Sequence, residues 1–97
     1  MKSSARVVVI GGGVAGVATL YHLAKKGWTD VVLVERKELT SGSTWHAAGL
    51  LPLFNMSYSV GQIHKYSVDF YQRLEKETGH SAGFRQVSNI RLAMSED

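Results

Sequence analysis

The sequence contains no cysteine, which excludes both a disulfide framework and a thiolate-held metal. Long apolar runs are missing as well. The longest, Val7–Ile10 with the glycines that follow, falls far short of the roughly 20 residues a membrane helix needs, so no membrane partner is expected. There is no block of one charge either. The net charge is +3, yet Lys25, Lys26, Arg36, Lys37, Lys65, Arg73 and Lys76 are scattered and form no run of five. That distribution reads as a solvated mixed-charge surface and argues against nucleic acid as a partner. No histidines and carboxylates share metal-ligand spacing, so no metal is expected, and no Ser-His-Asp arrangement can be traced. The opening "MKSSARVVVIG" runs straight into apolar sequence with no room for a signal or transit peptide, which makes the cytoplasm the expected compartment.

What is present is ordinary for a soluble globular protein: 44% hydrophobic and 20% charged residues in a chain of 97, enough for at most one small domain. "RVVVIGG" (6–12) is a β-branched run closed by glycine, as in a strand buried on both faces of a parallel sheet. From Val14 to Lys26 the apolar spacing changes to three and four residues, through Val14, Val17, Ala18, Tyr21 and Ala24, and Gly27 follows as a helix C-terminal cap. "DVVLVE" (30–35) is a second buried strand. Strand, helix and strand in this order make a βαβ unit, with a parallel pair and a right-handed crossover.

Beyond Glu35 the period is lost. "RKELTSGSTWHAAGLLPLFNM", which holds the only proline, Pro52, reads as a long functional loop with one helical turn at most. A second helix is expected from about Ser59, where Ser59 and Gln62 have capping-box spacing. Its buried stripe would be Val60, Ile63, Ser67, Phe70, Tyr71 and Leu74, and Gly79 would stop it. "QVSNIRLAMS" (86–95) suggests a strand, with Val87, Ile90 and Leu92 in imperfect alternation. A sheet of this size cannot bury a core on both faces, so an N-terminal piece of a larger protein is expected.

Chemistry concentrates in two places. Gly11, Gly13 and Gly16 of "GGGVAG" match the G-x-G-x-x-G spacing between a buried strand and a helix. The first glycine allows the tight turn, the second lets the backbone approach a pyrophosphate, and the third permits close helix–strand packing. The N-terminus of the helix adds free N–H donors and positive dipole charge. Glu35 closes the second strand, where a carboxylate can accept both ribose hydroxyls of an adenosine and would repel a 2′-phosphate. The motif fixes a dinucleotide without saying which. The second place is "SGSTWHAAGL" (41–50), in which six of ten residues are Ser, Gly or Ala. Small side chains and exposed N–H groups suit main-chain contact with phosphate and ribityl oxygens, which favours a flavin. On the residues alone His46 reads as a polar filler or a hydrogen-bonding surface group, and Trp45 as a flavin neighbour or a plain apolar anchor. His22, His64 and His80 read as structural or exposed, and Tyr58, Tyr66 and Tyr71 as packing residues.

The stretch "VVVIGGGVAGVATLYHLAKKGWTDVVLVERKELTSGSTWHAAGL" resembles the N-terminus of the dimethylglycine and sarcosine dehydrogenases, FAD enzymes of the D-amino-acid-oxidase-like superfamily. The resemblance implies an FAD held by Gly11, Gly13, Gly16 and Glu35, with Val14, Ala15 and Arg36 beside them. It further implies that Gly42, Ser43, Thr44, Trp45, His46, Ala47, Ala48, Gly49 and Leu50 lie along the flavin, and that His46 is bonded covalently to its 8α-methyl group. The fold expectation is therefore α/β: the N-terminal βαβ part of a Rossmann-like FAD-binding domain, incomplete in this chain. Residues 1–55 would form the βαβ unit and flavin-contacting loop, and residues 56–97 the helix and strand leading toward a substrate domain. The implied activity is oxidation of an N-methyl amine such as dimethylglycine or sarcosine, with this piece inactive alone. Tetrahydrofolate as a one-carbon acceptor and an electron-transfer flavoprotein as a partner belong to the same expectation. The alternatives are an NAD-linked Rossmann dehydrogenase, disfavoured by the irregular segment after Glu35, and a non-catalytic nucleotide-binding module.

Overall fold

The computed structural model describes residues 3–92 and divides into two compact units, joined between Ala48 and Gly49. The first unit is built on strand β1 (Val7–Ile10), helix α1 (Val14–Lys25) and strand β2 (Val31–Val34). β1 and β2 pair in parallel, with Val7 opposite Val31 and Ile10 opposite Val34. Runs of Val, Leu and Ile favour this pleated geometry because their branched side chains pack on it at little rotamer cost. The ladder continues one residue past β1, where Gly11 N–H donates to Val34 O at 2.8 Å.

α1 runs back between the strands and packs on both. Its end is a Schellman arrangement: Gly27 N–H donates to Ala24 O at 3.0 Å and Trp28 N–H to Leu23 O at 3.0 Å, with Gly27 at φ +91°. The expected strand burial on both faces is corrected. Val7 and Val9 are half-buried, whereas Val8 and Ile10 are 51% and 86% exposed, because a single helix covers a single face.

The second unit is dominated by helix α2 (Tyr58–Thr78). It begins at Ser57, two residues before the expected cap. Asn55 Oδ1 accepts from Ser57 N–H at 2.7 Å, a local turn that sets Ser57 in extended backbone, and Ser57 Oγ accepts from Val60 N–H at 3.5 Å. Gly79 closes α2 as expected, at φ +72° with its N–H on Glu75 O at 2.8 Å.

The expected apolar stripe of α2 is met in part. Ser67, Phe70, Tyr71 and Leu74 are half-buried, but Val60 and Ile63 are exposed and the buried position is Val68. The stripe is rotated toward Gly61, His64 and Val68 because the chain after Gly79 lies there, with Phe84 stacked on Tyr71 (centroids 6.2 Å apart) and Gln86 bonded to Gln72 at 3.0 Å. The strand expected at 86–95 is absent from residues 86–92, and 93–95 lie outside the described residues. Val87, Ile90 and Leu92 are at least 80% exposed: with no strand paired to it among the described residues, the segment stays irregular.

Candidate functional site

The glycine loop between β1 and α1 is shaped by close approaches. Gly11 has φ +110°, a backbone region that favours glycine. A Cβ on Gly16 would overlap the carbonyl oxygen of Gly11 and lie 3.0 Å from its carbonyl carbon, so α1 packs against the end of β1 only because residue 16 has no side chain. These are the turn and packing roles expected of the first and third glycines.

Glu35, at the end of β2, is joined directly to this loop. Its Oε2 accepts from Gly12 N–H at 2.7 Å and its Oε1 from Lys37 N–H at 2.9 Å. The Gly12 bond first and the Lys37 bond second hold the carboxyl below the ordinary glutamate value of 4.5, against partial desolvation, with a lesser contribution from the Arg36 backbone and charge. Each oxygen has lone pairs beyond these bonds, so the ionised carboxylate can accept further hydroxyl donors. An open cleft of about 350 Å³ is lined by Ile10, Gly11, Val34, Glu35, Arg36, Lys37, Ser41 and Gly42. It unites four expected site residues (Gly11, Glu35, Arg36 and Gly42) and adds Lys37 and Ser41.

The loop after β2 folds back over the glycines. Leu39 covers Gly12, and a Cβ added to Gly12 would come within 2.6 Å of Leu39 Cδ2. Thr40 N–H donates to Gly12 O at 2.9 Å, and Thr40 itself sits at φ +64°, a strained conformation for a β-branched residue. A one-turn 3₁₀ helix, Ser43–His46, then fulfils the expectation of a helical turn in this loop. Thr44 Oγ1 accepts from Val14 N–H at 2.8 Å, satisfying one of the N–H groups that a helix N-terminus leaves without an internal partner. Sequence reasoning missed this cap, since the two residues are 30 apart and no local pattern links them.

Gly13 also acquires a second role, because a Cβ there would stand 2.8 Å from Thr44 Oγ1. His46 is exposed and its Nδ1 pairs with Gly42 O at 3.1 Å. Trp45 is 78% exposed. Ala47 and Ala48 close the first unit, while Gly49 and Leu50 open the second. Of the other histidines, His22 Nδ1 pairs with Ala18 O at 2.7 Å, His64 is half-buried on α2 and His80 is exposed. No group of three His, Cys, Asp or Glu residues capable of holding a metal is found among the described residues.

A parallel β-α-β unit whose glycine turn is tied to an acid at the end of the second strand defines an α/β protein of nucleotide-binding build. Comparison with known proteins makes this specific: residues 6–97 match the family described as FAD dependent oxidoreductase, and the chain belongs to that family. It is 52% identical over 96 residues to mitochondrial dimethylglycine dehydrogenase of Rattus norvegicus, covering 99% of this chain and 11% of that protein. To mitochondrial sarcosine dehydrogenase of Homo sapiens it is 46% identical over 94 residues, covering 96% and 10%. To the mitochondrial pyruvate dehydrogenase phosphatase regulatory subunit of Mus musculus it is 39% identical over 97 residues, covering 100% and 11%. The chain thus spans about a tenth of the length of these relatives. The cytoplasmic expectation is overturned, because these relatives are mitochondrial proteins. That expectation rested on where the sequence begins, which has no bearing on the compartment.

Proposed function

We propose that this chain is the N-terminal part of an FAD-dependent oxidoreductase that oxidises N-methyl amines such as dimethylglycine or sarcosine. The observation that carries the reading is the 52% identity to dimethylglycine dehydrogenase over a region that includes the glycine loop, Glu35 and "SGSTWHAAGL". The residues present fit an FAD. The Gly11–Gly16 approach leaves no room for a Cβ, and the low-pKa carboxylate of Glu35 is an acceptor suited to ribose hydroxyls.

Gly11, Gly13, Val14, Ala15 and Gly16 would hold the pyrophosphate, with first-turn N–H groups of α1 other than that of Val14, which Thr44 already takes, as donors. Glu35 would bind the adenosine ribose with Arg36 beside it, and residues 42–50 would run along the flavin. When bound, the flavin accepts a hydride equivalent from the N-methyl carbon of the amine. His46 is the residue we assign to covalent attachment. Its Nδ1, held as a donor by the Gly42 carbonyl, leaves Nε2 with the free lone pair and therefore as the bonding nitrogen. Catalytic groups that touch the amine, and a folate site for the released one-carbon unit, would lie in the part of the relatives that this chain does not span. An electron-transfer flavoprotein is the proposed electron acceptor and the mitochondrion the proposed compartment.

The test uses the full-length protein. Its yellow chromophore should survive acid precipitation, and peptide mass spectrometry should place the FAD mass on the fragment containing Thr44, Trp45 and His46. His46→Ala should still bind flavin but release it on denaturation. A flavin that washes out of the wild-type protein in acid would remove the tether from the proposal. A second reading, a non-catalytic nucleotide-binding module, draws on the likeness to a phosphatase regulatory subunit. Flavin bleaching by added dimethylglycine or sarcosine excludes it, and bound flavin inert to every N-methyl amine would establish it.

A further inference from the structure

We propose that Thr44 is a positioning residue for His46, acting through α1; this rests on the assignment of His46 as the attachment point. The turn Ser43–His46 is a single 3₁₀ turn, and so short a helix has no stability of its own. Ser43, Trp45 and His46 are exposed, and Thr44 alone of the four is half-buried. What joins the turn to the rest of the first unit is the 2.8 Å bond from Val14 N–H to Thr44 Oγ1. Val14 is the first residue of a twelve-residue helix packed on both strands, so its N–H is a fixed point.

Two features tune this contact. Thr40 N–H on Gly12 O provides a second anchor four residues upstream, and the positive φ of Thr40 turns the chain toward α1. Gly13 leaves the space that the Thr44 hydroxyl fills, since a Cβ there would crowd it at 2.8 Å. The imidazole of His46, two residues after Thr44, is oriented by the carbonyl of Gly42, two residues before it. The chain of support runs from strand to helix N-terminus, hydroxyl, turn and ring. Attachment would replace a C–H bond of the flavin 8α-methyl by a C–N bond to His46, the electron pair and two protons being taken up by the isoalloxazine ring of the same FAD. Such a step gains from having the imidazole held in place beforehand, because misplacement by about an ångström costs orders of magnitude in rate.

Thr44→Val keeps the shape and removes the acceptor, while Thr44→Ser keeps the hydroxyl. In full-length apoprotein produced under riboflavin limitation, amide hydrogen exchange of the peptide spanning residues 41–48 should quicken about tenfold in Thr44→Val, the factor that loss of one hydrogen bond brings, and stay near wild type in Thr44→Ser. On adding FAD, covalent incorporation should slow by about tenfold or more in Thr44→Val and recover in Thr44→Ser, and the covalent rate should fall by more than the noncovalent FAD affinity does. Unchanged exchange in Thr44→Val overturns the proposal. So does a fall in noncovalent affinity as large as the fall in covalent rate, which would put the whole effect of Thr44 in cofactor capture and none of it in setting His46. Release of the wild-type flavin by acid overturns the tether itself, a separate result, because the exchange measurement judges the Thr44–Val14 bond without any flavin.

Discussion

Replacing Gly16 by Ala tests whether the glycine loop works through close backbone packing. The added Cβ would overlap Gly11 O and sit 3.0 Å from Gly11 C, with Val9 Cγ1 at 3.5 Å already in ordinary contact. Carbon–carbon contacts relax to about 3.5–4.0 Å, so α1 must move by at least about half an ångström, and by more to clear the oxygen. Both obstructing atoms are backbone atoms held by the parallel ladder, so no side chain can swing aside. Overpacking of this kind costs about 1–3 kcal/mol, and drawing Val14 N–H away from Thr44 Oγ1 adds about 1 kcal/mol for the lost hydrogen bond. Chemical denaturation of the full-length protein followed by circular dichroism should therefore report a loss of about 2–4 kcal/mol. The flavin-to-protein absorbance ratio after gel filtration should fall with it. Gly61→Ala is the size-matched control. It adds the same methyl inside α2 with nothing within 4 Å and should gain about 0.5–1 kcal/mol of helix stability. If Gly16→Ala matches wild type in both stability and flavin content, the packing account of the loop is wrong.

Glu35 predicts an acid dependence. Its folded-state pKa is lowered, so its contribution to stability is fully present above the ordinary 4.5 and is lost as pH falls through the lower folded value. The stability difference between wild type and Glu35→Gln, measured by denaturation at successive pH values, should shrink below pH 4.5; a pH-independent difference would contradict the Gly12–carboxylate bond. Gly79→Ala places a side chain at φ +72° in otherwise open space, so its cost is conformational alone, about 1 kcal/mol, and should be matched closely by Gly79→Ser. Differing losses for the two would mean that a contact, not the backbone, decides.

The sequence disclosed the features that depend on near neighbours. Val-rich runs, the glycine spacing and the 3.6-residue period located β1, α1 and β2 to within one or two residues, and Gly27 and Gly79 marked both helix ends. Glu35 was legible because the strand carrying it ends in an acid. Thr44 and Thr40 were not, since their bonds reach Val14 and Gly12 across 28 to 30 residues of chain and leave no periodic trace. The strand expected from Val87, Ile90 and Leu92 failed for the converse reason: alternation describes what a strand needs from its side chains, whereas pairing depends on a partner that the described residues do not supply. The start of α2 is ambiguous in the sequence because three hydroxyl or amide candidates lie within five residues, and only the Asn55 turn distinguishes Ser57 from Ser59.

The loop after β2 is tied down at Thr40 on Gly12 and again at Thr44 on Val14, so its length is metered. Surface loops ordinarily tolerate insertions and deletions. Here one residue added or removed between positions 40 and 44 would leave a threonine facing the wrong peptide group and carry the imidazole at position 46 off its line. Natural variation in this segment should therefore run to substitution and leave its length untouched, and an engineered single-residue insertion should do more harm than any exchange of Ser41 or Ser43.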